Sequence, residues 1–128
     1  MTLRHFSPSG VCPPFGRYHH AVEARGVERL LVLAGQIGNR PDGSLPDGAA
    51  AQAEQAFANI DACLAAAGFD RSQVIRLTVF LTEAEYRQDY MRVRDAWVAE
   101  PPPASTLLVV KALALPECKV EVEALAAA

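Results

Sequence analysis

The sequence predicts an α+β fold in which two helices lie on one face of a single sheet. Three observations lead there. Apolar and alternating runs of strand length are interleaved with two longer stretches of helical period, in the order β-β-α-β-α-β-β. The strands flanking each helical stretch are too far apart for a tight turn, so the helices act as crossovers. Finally, 128 residues with 51% apolar and 21% charged side chains suit one domain, 1–128, able to bury a core without disulfide or metal staples.

The elements follow in order. Ser7 to Arg17 holds Pro8, Gly10, Pro13, Pro14 and Gly16, which is loop chemistry. Tyr18 to Ala24 reads as a strand, and Leu30 to Ala34 is a short apolar run typical of a buried one. With Arg25-Gly26-Val27-Glu28 as the turn, these two strands are expected to form a hairpin. Asn39 to Gly48 is again a loop, with two Asp-Gly pairs. From Ala49 to Ala67 the residues Ala53, Phe57, Ile60, Leu64 and Ala67 recur at helical spacing, and Gly68 suits a C-cap.

Gln73 to Leu81 is the next strand. Thr82-Glu83-Ala84-Glu85 has the form of a capping box, followed by a stripe of Tyr86, Tyr90, Val93 and Trp97. Pro101, Pro102 and Pro103 end that helix, because proline lacks the donor and clashes with the preceding turn. Two last strands are expected over Ser105 to Leu113 and Lys119 to Leu125. Apolar Leu33, Leu107 and Val109 alternate through the strands, so the sheet face without helices is expected to be covered by other subunits.

Charge and cysteine content exclude several classes. The net charge is −3 with no basic run, which argues against nucleic acid as a partner. Cys12, Cys63 and Cys118 have no metal-ligand spacing and cannot all pair, as expected for free thiols in a reducing compartment. No metal site and no cofactor are expected. The N-terminus lacks the apolar stretch of an export signal, and no segment has the length of a membrane span, so a cytoplasmic location away from membranes is expected.

Five blocks then resemble one known family in order and at compatible spacing. Phe15-Gly16-Arg17-Tyr18-His19-His20-Ala21-Val22 resembles the G-P-Y-S-Q-A-V segment of the Rid family (YjgF/L-PSP type). Leu33-Ala34-Gly35-Gln36-Ile37-Gly38 is similar to its S-G-Q-I-P block, and Gln55 to Ile60 to its Q-x-x-x-N-[IL] helix. Pro103-Ala104-Ser105-Thr106 resembles its P-A-R-S turn, and Val120 to Ala124 its closing V-E-I-E-A strand. The resemblance implies a chorismate-mutase-like fold and a homotrimer with a small-molecule cleft between each pair of subunits. It further implies hydrolysis of enamines and imines to ketoacids and ammonia without metal or organic cofactor. In the family an Arg holds the substrate carboxylate and a Glu-associated water attacks the imine carbon.

Carried over by position, the resemblance places Tyr18 at the family's site Tyr, Gly35 at the pocket-lining backbone and Glu121 at the water-activating Glu. Ser105 stands where the family has its Arg, Ala34 where it has Ser, and Met91 where it has Asn. A hydroxyl carries no charge and cannot replace a two-pronged guanidinium. His20 shares strand parity with Tyr18 and has the ordinary titration range for acid–base work, so it joins Glu121 and Tyr18 as a catalytic candidate. Arg17 and Lys111 are the candidates to restore the positive charge. Two functions stay open: a Rid-like hydrolase with an altered site, or a trimeric binder or sensor of a small molecule. The ribonuclease label borne by some members is disfavoured by the acidic balance.

Overall fold

A computed structural model describes residues 1–128. Its elements are β1 (Thr2–Phe6), β2 (Ala21–Arg25), β3 (Leu30–Ile37), α1 (Ala49–Ala67), β4 (Val74–Leu81), α2 (Arg87–Trp97), β5 (Ala104–Val109) and β6 (Val120–Ala127). Four strands form a mixed sheet in the order β3-β6-β4-β5, with β4 and β5 parallel and the other pairs antiparallel. Strands β1 and β2 make a separate antiparallel ribbon. It touches the main sheet through a single parallel bridge between His19 and Ala104.

The two helices pack on one face of the sheet, and the core lies between the layers. Helix α1 has the predicted bounds, because its apolar stripe of Ala53, Ala56, Phe57, Ile60 and Leu64 is buried against β3 and β6. Gly68 ends it in the left-handed conformation, φ 72°, at no steric cost. From the sheet, Leu33, Leu77, Val79, Leu81, Val120, Val122, Ala124 and Ala126 point inward. Helix α2 closes the core with Tyr90 and Trp97, whose rings flank Phe57 at centroid distances of 6.0 and 4.7 Å.

Several expectations are corrected. Residues 18–20 are not a strand; β2 starts only at Ala21, because His19 is drawn sideways to the 102–104 segment by its N–H on the Pro103 carbonyl. The β2–β3 hairpin does not form. β2 pairs instead with β1, register Phe6 to Ala21, and β3 pairs with β6 alone. Leu33 and Leu107 face the helices, while the open face shows Leu30, Val32 and Leu108. Thr82 does not begin a capping box: its N–H is held by the Lys119 carbonyl as a continuation of β4. Glu83 is extended, and a 3₁₀ turn at Ala84–Tyr86 leads into α2. The box that does form is Asp70 with Gln73, at the 3₁₀ turn before β4. β5 ends at Val109 rather than Leu113, and β6 extends to Ala127.

The ribbon carries a pH-sensitive contact. His5 is held below its ordinary value of 6.5, chiefly by burial and next by the charge of His19, with Glu100 opposing. Its Nε2 is buried without a partner, as suits a neutral ring. The unfolded chain binds this proton more readily. The contribution is therefore complete above pH 6.5 and is lost as the pH falls below that value toward the depressed folded one. Thermal melts are expected to show a smaller loss of stability between pH 7.5 and pH 5 for His5→Leu than for the parent, whereas equal losses would remove His5 from the account.

Candidate functional site

A recess of about 210 Å³ lies where β5, α2 and the loop before β2 meet. It is lined by Phe15, Tyr18, Arg87, Met91, Arg94, Ser105 and Leu107. Ser105 reaches it because β5 is in register with β4: Ser105 sits beside core-facing Leu77 and so points to the helix side. Its Oγ is buried and has no hydrogen-bond partner. Tyr18 is held by its hydroxyl, which accepts from the Phe15 N–H at 3.3 Å. The Tyr18 and His20 rings meet edge to face at 5.8 Å, so the predicted shared side holds although the strand does not. His20 Nε2 lies 2.6 Å from the Cys12 carbonyl, which ties the ring into its own loop.

Sequence reasoning missed Arg94. This residue is 2% exposed at the floor of the recess. Its Nε and Nη2 both donate to the same oxygen of Asp95, at 3.1 and 2.9 Å. Its guanidinium carbon lies 5.9 Å from the Tyr18 ring centre. Gly16 makes the approach possible, since a Cβ there would sit 2.7 Å from Met91 Cε and 2.9 Å from Arg94 Nη2. A signal was available: Arg94 falls four residues after Tyr90 and three before Trp97, on the apolar stripe itself.

The other candidate charges point elsewhere. Arg17 donates to the Asp95 carbonyl and to Glu100, both at 2.8 Å, and is exposed. Lys111 is exposed beyond the end of β5. Tyr90, beneath Arg94, has its hydroxyl pushed above its ordinary range by burial, and that hydroxyl has no partner.

Glu121 lies apart from this recess within the protomer. On β6 it alternates with buried Val120 and Val122, and so faces the open side of the sheet. Its carboxylate is laid across the backbone of Gly35, where an added Cβ would come within 2.1 Å of Oε1. The bulge in β3 between Leu33 and Gln36 shapes this seat, with exposed Ala34 beside it. β4 separates β6 from β5, and Glu121 lies beside Phe80 while Ser105 lies beside Leu77, so the two are roughly 14 Å apart across the sheet and on opposite faces. Two half-sites result: Gly35, Ala34 and Glu121 in one, and Tyr18, Met91, Ser105 and Arg94 in the other.

Nearby groups limit the chemistry. The Cys118 thiol is pushed up, first by burial and then by Glu117 and Glu121, which keeps it protonated rather than nucleophilic. No group of three His, Cys, Asp or Glu side chains is gathered to hold a metal ion. No helix is long and apolar enough to cross a membrane. A larger groove of about 380 Å³ runs between α1 and α2. Its Asp61 is already committed to Arg71 through two bonds of 2.8 and 2.7 Å and to Trp97 Nε1 at 3.1 Å.

Comparison with known proteins places this architecture. The family described as Endoribonuclease L-PSP matches residues 11–128. A RutC family protein of Aquifex aeolicus is 33% identical over 116 residues, covering 88% of this chain and 90% of that protein. A 2-iminobutanoate/2-iminopropanoate deaminase of Bos taurus is 38% identical over 84 residues, 64% of this chain and 57% of the bovine protein. Among solved structures, the Rid family protein YyfB of Yersinia pestis superposes with a TM-score of 0.88 at 32% identity over the whole of both chains. RidA from an Antarctic Psychrobacter gives 0.74 at 30% identity, over 98% of this chain and 99% of that one. The fold is thus the chorismate-mutase-like α+β arrangement of these neighbours. The chain belongs to the Rid family, the Endoribonuclease L-PSP group.

Proposed function

We propose that the protein is a hydrolase of small imines or enamines, working as a cytoplasmic homotrimer of single domains spanning 1–128. Its clefts would join the Glu121 half-site of one subunit to the Tyr18–Ser105 half-site of the next. The observation that carries this reading is the seat of Glu121, a carboxylate laid over the Gly35 backbone on a sheet face with no helix cover. A small substrate cannot touch Glu121 and Ser105 of one protomer, since they face opposite ways. A neighbouring copy resolves that separation. Exposed Leu30 and Val32, at 61% and 67%, and Leu108, at 46%, give the open face apolar surface for such contacts. The deaminase relatives supply the reaction class.

The chemistry requires little beyond placement. An imine carbon is already electrophilic. Glu121 takes a proton from water as the oxygen bonds to that carbon, and the C=N electron pair moves to nitrogen, which is protonated. The C–N bond then breaks with release of ammonia and formation of the carbonyl. Tyr18 lines the recess and His20 stands behind it, ring to ring, as candidates to handle the nitrogen's proton.

The test is 2-aminoacrylate and a panel of other imines generated in situ, with ammonia release followed in the presence of the protein. Acceleration is expected, with Glu121→Gln slower by on the order of 10²-fold or more. An unchanged rate in that variant would remove Glu121 from the mechanism. A second reading, a binder without turnover, is favoured by the apolar Met91, Phe15 and Leu107 in the recess. It requires a ligand-dependent rise in melting temperature with no acceleration for any imine.

A further inference from the structure

We propose that Arg94, on helix α2, is the residue that binds the carboxylate of the ligand, with the Ser105 hydroxyl as its second donor. The inference deepens the reading above, in that it names the anionic group taken by the same cleft. It starts from an imbalance. A guanidinium taken out of water at this depth needs compensation, and this one has a single partner oxygen on a half-exposed Asp95. Two of its five donors are used, both on that oxygen, and the rest of the planar fork is left for another acceptor. The unpartnered Ser105 Oγ lines the same recess and is also buried. Arg87 adds a second positive charge and no carboxylate side chain lines the recess, so its field favours an anion.

The geometry points to a carboxylate. The fork pairs bidentately with a planar two-oxygen group, and a hydroxyl beside it can donate to one of those oxygens. A recess of about 210 Å³ suits a small acid. The positive charge expected at position 105 on β5 is therefore supplied across the recess, from α2. Gly16 and Ser105 are both required to be small for this: Gly16 leaves space for the guanidinium, and Ser105 leaves space for the ligand.

The test measures binding of pyruvate, the ketoacid that hydrolysis of 2-aminoacrylate would yield, against neutral pyruvamide and inorganic phosphate. Calorimetric or NMR titration would be applied to the full chain and its variants. The parent is expected to favour pyruvate over pyruvamide by about 10–100-fold, the range of a charged hydrogen-bonded pair. Arg94→Gln should abolish that preference, and Ser105→Ala should weaken pyruvate by about 3–10-fold. Arg94→Lys, which retains the charge without the fork, guards against loss of fold in the glutamine variant and should keep part of the preference while binding pyruvate more weakly than the parent.

A folded Arg94→Gln protein that still prefers pyruvate, or an Arg94→Lys protein that binds pyruvate as tightly as the parent, would overturn the proposal. So would a parent that binds both probes equally, or phosphate better than pyruvate. The two readings fail separately. Arg94-dependent pyruvate binding without imine hydrolysis leaves the carboxylate assignment standing and removes the hydrolase. Glu121-dependent hydrolysis that ignores Arg94 does the reverse.

Discussion

Phe57→Ala is expected to lower the unfolding free energy by about 3–5 kcal/mol, the range for deleting a buried aromatic and leaving a cavity. Phe57 is 1% exposed, and its ring is flanked by Tyr90, nearly parallel at 22°, and by Trp97. These contacts join α1 to α2 through the core. The rings cannot close the gap readily. Trp97 is fixed by Nε1 on Asp61 and by its carbonyl, which accepts from Arg71. Denaturant unfolding at fixed subunit concentration reads the effect directly. A loss under about 1 kcal/mol would show that the helices repack, contrary to this account.

Gly35→Ala is expected to separate activity from stability. The three atoms nearest the new methyl would all belong to Glu121: Oε1 at 2.1 Å, Cδ at 2.8 Å and Cγ at 2.9 Å. All three atoms belong to one flexible side chain, which can swing away at little cost to the fold. Imine hydrolysis should then fall on the order of 10²-fold, the contribution of a placed proton acceptor, with the melting temperature almost unmoved. At Gly38 the same methyl would meet the Gln52 backbone, at 2.5 and 2.6 Å, where nothing can swing. Full activity in Gly35→Ala would mean that the carboxylate does not work from this seat.

The parts of the fold legible in the sequence were those set by local periodicity. Helix α1 was readable to the residue because its stripe and Gly68 agree. Strand partners were not, since alternation marks a strand without naming its neighbour. β1 carries no strand signature, because Thr2–Phe6 holds polar Thr2, Arg4 and His5 and precedes a proline-rich loop; without it, β3 is the only neighbour that sequence order offers β2. Thr82 looked like a cap because the motif contains no record of the Lys119 carbonyl that holds it extended.

The site was half legible. Tyr18, Met91 and Ser105 were placed by motif position, and the recess gathers them. Glu121 and Gly35 were each placed by motif position, and the fold brings them into contact. Arg17, in the motif segment beside Tyr18, and Lys111, with the strand parity of Ser105, are the charges that motif position and alternation bring forward. Arg94 belongs to helix α2, and its spacing from Tyr90 and Trp97 marks it as a polar side chain on the apolar stripe, but that it opens into the same recess as Ser105 emerges only from the packing.

The slender joint between the β1–β2 ribbon and the main sheet has a kinetic consequence. One bridge at His19–Ala104 and a few loop contacts can break without disturbing the core, so the ribbon should open as a unit of its own. Its amides would exchange with solvent deuterium earlier than those of β4 and β6. Tyr18 belongs to the loop that feeds this ribbon, so a molecule bound against Tyr18 would slow that exchange. The deuterium uptake of residues 2–25 would thus report occupancy of the recess, even for a ligand that undergoes no reaction.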